Sequence, residues 1–103
     1  MVDTVIRKRI EILVDTPLLP RIVDLIRSVD ISGWSVLHVD SGGGRDGSWQ
    51  HDDVTGAAAK SILLAVANET KAKALTDAIE PILESHGLLL LVGNVEVIRG
   101  DKF

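Results

Sequence analysis

Two amphipathic helical segments set among four strand-like segments predict an α+β sandwich, a four-stranded antiparallel sheet with both helices on one face. Three observations carry that prediction. Ile10, Ile12 and Val14 alternate with Arg9, Glu11 and Leu13, the period of a half-buried strand. Leu19, Ile22, Val23 and Ile26 recur at the spacing of a helix with one apolar stripe. The pattern then repeats, so the 103 residues read β-α-β-loop-β-α-β, a single domain over 1–103.

Taken in order, the first strand covers about 5–15. Thr16 is a candidate N-cap followed by Pro17 at the first helical position, where a missing N–H costs nothing, and the first helix covers about 17–29. Pro20 still lies in its first turn. Ser32–Gly33 turns the chain into a second strand over about 34–40, with Trp34, Val36 and His38 at alternate positions. A long polar, glycine-rich loop follows over about 41–57, and loops of that length tend to be functional or mobile. The apolar run 58–67 reads as a buried third strand. Asn68 or Thr70 caps a second helix with the apolar face Ala72, Leu75, Ala78, Ile79 and Ile82; Pro81 should kink it or remove one hydrogen bond. Gly87 is a natural helix stop, and 88–98 is the fourth strand, with Gly93 expected at a bulge or close approach. With one apolar face per helix, both pack on the same side of the sheet, as a ferredoxin-like βαββαβ sandwich. The other side is then bare. Leu13, Leu63, Ala65, Leu89, Leu91 and Gly93 cannot all lie under the helices, because successive strand residues face opposite sides. Other subunits would cover the surplus, so an oligomer is expected.

Composition narrows the function. The chain has no cysteine, hence no disulfide, thiolate nucleophile or cysteine metal site. The N-terminus carries charges too regularly for a signal peptide, and the longest apolar run, 88–92, is far short of a membrane span; a cytoplasmic protein is expected. A net charge of −4, three aromatic residues and no basic cluster beyond Arg7–Lys8–Arg9 argue against nucleic acid. No nucleophile-elbow motif is present, and His51–Asp52–Asp53, with His38 and His86 remote, lacks the spacing of a metal site. No catalytic residue, no metal and no enzymatic activity are expected.

The richest feature is the strand that ends in Asp40–Ser41–Gly42–Gly43–Gly44–Arg45–Asp46–Gly47. Four of the nine glycines fall between 42 and 47. Glycine lets backbone N–H groups approach an anion closely, so this is a candidate phosphate cradle; a loop tip without ligand is the simpler alternative. Trp49 among small polar neighbours either folds back onto the body or anchors a partner. Arg99, where the last strand ends, could fork onto a phosphate or carboxylate, or be an ordinary edge arginine.

These residues carry a resemblance to the PII signalling superfamily, over nearly the whole chain. Ser32–Gly33–Trp34–Ser35–Val36 is similar to the family's turn into the second strand, Gly42–Gly43–Gly44–Arg45 to the glycine-arginine segment that opens its mobile T-loop, and Arg99–Gly100 to its strand-end arginine. The resemblance implies a homotrimer that binds adenine nucleotide in clefts between subunits. Gly33, Trp34 and Ser35 would hold the adenine side through their backbone. Ser41, Gly42, Gly43, Gly44 and Arg45 would meet phosphate, and Arg99 and Lys102 would close the cleft. The ordered loop, with Trp49 near its tip, would dock a target protein. Three departures matter. The family's phosphate-gripping loop before the last strand is replaced by Ser85–His86–Gly87, and the loop glutamine and the modifiable tyrosine have no counterpart. The pattern therefore looks most like PII-like proteins linked to carboxysomes and bicarbonate transport, implying ADP or AMP, with bicarbonate, rather than Mg-ATP. ACT-like and CutA-like oligomers share the fold and would bind an amino acid or a metal instead. An acylphosphatase would need a signature that is absent around Asn68 and Asn94.

Overall fold

Alternating burial along the first strand, β1 (Val5–Asp15), sets the layers: Ile10, Ile12 and Val14 are buried, whereas Arg9, Glu11 and Leu13 turn to the opposite face. The computed structural model describes residues 3–44, 47–50 and 59–98. A 3-10 turn, Thr16–Leu18, leads into α1 (Leu19–Ser28), which buries Ile22 and Ile26. Thr16 is not the helix cap that its place before Pro17 suggests. The 3-10 turn occupies the first turn, Leu18 stands at the N-cap without a side-chain bond, and the Thr16 hydroxyl pairs with Ser61 instead.

α1 ends on Asp30, held at φ 59° in the left-handed region, with Asp30 N–H donating to the Arg27 carbonyl and Ile31 N–H to that of Ile26. β2 (Gly33–Val39) follows. The expected loop then contains its own hairpin, β3 (Ser41–Gly44) paired with β4 (Gly47–Gln50) as a separate two-stranded sheet. Gly42 pairs with Trp49 and Gly44 with Gly47, so backbone hydrogen bonding, which side-chain patterning does not reveal, gives this stretch its order. β5 (Lys60–Ala67) alternates strictly, with Ser61, Leu63, Ala65 and Ala67 buried. α2 (Glu69–Leu83) is capped by Asn68, whose side-chain oxygen accepts from Lys71 N–H at 2.8 Å. It runs through Pro81 to Leu83, forgoing only the bond that residue would make to the Asp77 carbonyl. Gly87, at φ 61°, ends the helical segment as expected, with Leu88 N–H donating to the Leu83 carbonyl. β6 (Leu89–Val97) closes the fold.

The four long strands form one antiparallel sheet in the order β2-β5-β1-β6, and with both helices this is a βαββαβ ferredoxin-like architecture. The core lies between sheet and helices: Ile10, Ile12, Leu63 and Ala65 meet Ile22, Ile26, Leu75 and Ile79. Each large apolar side chain among them contributes about 1.5–3 kcal/mol on leaving water. The apolar strand residues divide between the two faces, as their alternation requires: Leu63 and Ala65 lie under the helices, since Ile12 pairs with Leu63 and Ile10 with Ala65, whereas Leu13, Leu89, Leu91 and Gly93 lie on the bare face. One expectation needs correction. Gly93 marks neither a bulge nor a close approach. It pairs in regular register with Arg9, and a Cβ placed on it would meet nothing within 4 Å.

Among the described residues no helix is long and apolar enough to cross a membrane.

Candidate functional site

The glycine tract leaves the sheet at the end of β2. One residue, Asp40, separates Val39 from Ser41, so the hairpin stem continues almost directly from an edge strand. An edge strand leaves one row of its backbone N–H and C=O groups without a strand partner, here running from Gly33 to the glycine tract. Ser41 and Gly43 are exposed and a Cβ on Gly43 would meet open space, so the backbone groups of the segment that do not pair with β4 are accessible. That is the chemistry an anion cradle requires.

Gly33, Trp34 and Ser35 occupy the other end of β2, about 20 Å from Ser41 at ~3.3 Å per residue. A ligand touching both groups runs along the free edge of the strand or draws one contact from another subunit. Trp34 points to the helix side, half-buried against the core, with the Arg27 guanidinium 5.7 Å from its ring centroid. Its indole is thus committed to the helix layer, leaving its backbone at the edge. Arg45, Arg99 and Lys102 lie outside the described residues, as does His51–Asp52–Asp53; of Trp49 only the backbone, paired in β4, is described. The register does place the end of β6, two residues before Arg99. Val97 sits beside Val5, at the opposite edge of the sheet from β2 and at the opposite end from the row that joins Asp15, Lys60 and Val39. The eleven residues of β1 separate those ends by about 33 Å, too far for a residue just past Val97 to reach the start of the tract within one protomer.

The base of the loop has a feature that side-chain periodicity does not announce. Four contacts tie the strands together there. Lys60 pairs with the Asp15 carboxylate, Thr16 N–H donates to the Ala59 carbonyl at 2.9 Å, and fully buried Ser61 bonds both Thr16 Oγ1 at 2.9 Å and His38 Nδ1 at 3.2 Å. The available signal was Ser61 itself, a polar residue at a helix-side position of an apolar strand. Ser85 and His86 form an exposed turn with Ser85 Oγ 2.9 Å from His86 Nδ1. Among the described residues no group of three His, Asp or Glu side chains could hold a metal ion.

The bare face of the sheet is the other candidate surface. Leu37, Leu89 and Leu91 are each about half exposed there, beside Leu13, Ile62 and Leu64. A recess of about 270 Å³ opens at Gly93, flanked by Leu91 and the Arg9–Glu11 ion pair.

The family model for the nitrogen regulatory protein P-II matches residues 7–102. The chain belongs to the PII family. PII-like folds also surround it among solved structures. CPII, a nitrogen regulatory PII-like protein from Thiomonas intermedia K12 bound to ADP, AMP and bicarbonate, superposes with a TM-score of 0.90 at 22% identity, covering 100% of this chain and 98% of that one. A putative PII-like signaling protein from Thermus thermophilus gives 0.81 at 22% identity, covering 98% of each chain. The GlnK–ATP complex of B. subtilis gives 0.64 at 11% identity, over 92% of this chain and 84% of that one. No curated protein matches.

Proposed function

We propose that this protein is a PII-like regulator that binds ADP or AMP, together with bicarbonate, in clefts between the subunits of a homotrimer. Ligand binding then signals through the 41–57 loop to a target protein in inorganic carbon metabolism, in the cytoplasm. One observation carries the reading: the glycine tract continues from an edge strand whose outer row of backbone groups has no strand partner, so accessible amides stand beside a free strand edge. Family membership supports a regulatory role, and CPII structures holding ADP, AMP and bicarbonate support the ligand class.

The trimer enters through distance and burial. The end of β6 is out of reach of the start of its own glycine tract, so a site using both Arg99 and the tract draws them from two subunits. The apolar sheet face is the surface that another copy would cover, and the Gly93 recess gives an incoming side chain room. Gly33, Trp34 and Ser35 would contact the adenine side through the strand backbone. Ser41, Gly42, Gly43, Gly44 and Arg45 would receive phosphate and the small anion, with Arg99 and Lys102 closing from the neighbour. The short Ser85–His86–Gly87 turn adds no glycine-rich phosphate grip, which favours a di- or monophosphate over a triphosphate. Trp49 would then belong to the docking surface of the loop.

Calorimetric titration with ATP, ADP and AMP, each with and without bicarbonate, tests this. ADP or AMP should bind in preference to ATP and more tightly with bicarbonate. Arg45→Ala should weaken binding about tenfold or more, as expected for one charge-assisted phosphate contact. Equal binding by Arg45→Ala, or silence across the panel, overturns the site.

A further inference from the structure

The sheet narrows at the end where β1 begins. Among the described residues, β5 pairs with β1 no further out than Lys8, so Val5, Ile6 and Arg7 pair with β6 alone, opposite Val97, Glu96 and Val95. These residues form a two-stranded ribbon that projects past the four-stranded sheet. The helix layer stops short of it as well. On the helix side, Ile10 is fully buried while its cross-strand partner Val92 is 48% exposed. One step further out stands the Lys8–Asn94 hydrogen bond of 2.7 Å, and beyond it Ile6, 57% exposed. Val5 is exposed on the other face, and Ile98, just past β6, is 66% exposed.

A two-stranded ribbon is at best marginal in water, and this one carries apolar side chains on both of its faces. Cover on the bare face of the sheet answers only half of that. A surface packed on Leu89, Leu91 and Val5 leaves Ile6 and Val92 in water on the opposite side of the same strands.

We propose that the ribbon of Val5–Arg7 and Val95–Val97 is a clasp that inserts between two neighbouring copies of this chain, one against each face. The inference rests on the trimeric site proposed above and adds a contact to it. Two observations name another copy as the occupant. The Val5 face is continuous with the bare leucine face, since Leu91, Gly93, Val95 and Val97 follow one another on the same side of β6. The end of β6 is also one strand of the ribbon, and it lies about 33 Å from its own glycine tract, so a site that uses Arg99 sets the ribbon against another subunit. A closed ring of heterologous contacts gives each protomer two different neighbours, which is the number of faces that the ribbon needs covered. Lys8 and Asn94 already bond each other, which lowers the cost of covering them.

The chain has no cysteine, so a single introduced thiol reports on one position. Ile6→Cys and, as an exposed reference on α2, Glu80→Cys are each alkylated with a maleimide, first at a protein concentration at which sedimentation shows the assembled species and then after dilution to monomers. In the assembled protein the thiol of Ile6→Cys should react about tenfold or more slowly than that of Glu80→Cys, because the reagent must reach it, and in the monomer the two should react alike. Ile6→Glu probes the same contact without a reagent. It should raise the dissociation constant of the assembly about tenfold or more, and leave the unfolding midpoint of the dilute protomer in place because the side chain is exposed there. Equal alkylation rates in the assembled protein, or a dissociation constant that Ile6→Glu leaves unchanged, overturn the clasp and leave the trimer standing. A wild type that sediments as a monomer at every concentration overturns the trimer and the clasp with it.

Discussion

The two faces of one sheet are built from the same four strands and differ in almost everything else. On the helix side Ile10, Ile12 and Leu63 are 0% exposed, and Ser61, the fully buried polar residue among those described, has its hydrogen bonds made. On the bare side Leu37, Leu89 and Leu91 are 49%, 50% and 51% exposed, and an Arg9–Glu11 ion pair stands in the middle. The helix side is a finished core. The bare side has the apolar content of a core without its cover, and its ion pair is the sort of polar group that fixes register when a second surface arrives. The difference teaches that the protomer completes one layer alone and leaves the other face uncovered, the face that the proposed trimer would bury.

Breaking the bare face should have the largest effect. If the bare face is the contact of the proposed trimer, Leu89→Asp would place a carboxylate in it, at a cost on the order of 3 kcal/mol or more per contact, and sedimentation should show monomers in place of trimers. The helix face should respond in the opposite way. Leu63→Ala should destabilise each protomer by about 2–5 kcal/mol in denaturant unfolding whatever the protein concentration. Leu91→Ala sharpens the contrast: its cost should be under ~1 kcal/mol in dilute monomer and grow with protein concentration as assembly sets in. If the Leu91→Ala cost is independent of concentration, the bare face is not an interface.

Smaller effects probe the helices that cover the finished side. Asn68→Ala removes the side-chain bond to Lys71 N–H and should cost about 1 kcal/mol, read as a lower unfolding midpoint. Asp30→Gly should do the reverse and raise stability by about 0.5 kcal/mol, because glycine adopts φ 59° without a steric penalty. The substitution also removes the 3.5 Å approach of Lys71 to the Asp30 carboxylate, but that group is almost fully exposed and the pair is worth little in water.

Much of this was legible in the chain. The alternation in β1 and β5 and the helical stripes of α1 and α2 report burial directly, since a side chain can be buried only on the face its period reaches. Gly87 was readable as a stop, and Asn68 as one of two candidate caps beside Thr70, because each acts within a few residues of itself. Asp30 was not, because an aspartate in the left-handed region looks in sequence like any other surface aspartate. The hairpin of 41–50 was hidden for a related reason: glycine strands pair by backbone alone and leave no hydrophobic period to detect. Of the candidate site, the glycine tract and its place after a strand were evident, but the meeting of Ser61 with Thr16 and His38 was not.

By itself the sequence determined the elements, their order and the apolar stripe each one must bury, because these are properties of neighbouring residues and short periods. Only the tertiary structure decided which strand is an edge, which face each leucine joins and which distant residues meet. Leu63 went under the helices while Leu13 did not, the end of β6 was set at the far edge from the strand that carries the glycine tract, and Ser61 came to lie between Thr16 and His38. Those outcomes depend on strand order and register, which join residues dozens of positions apart through backbone hydrogen bonds that every sequence can make and no local pattern specifies.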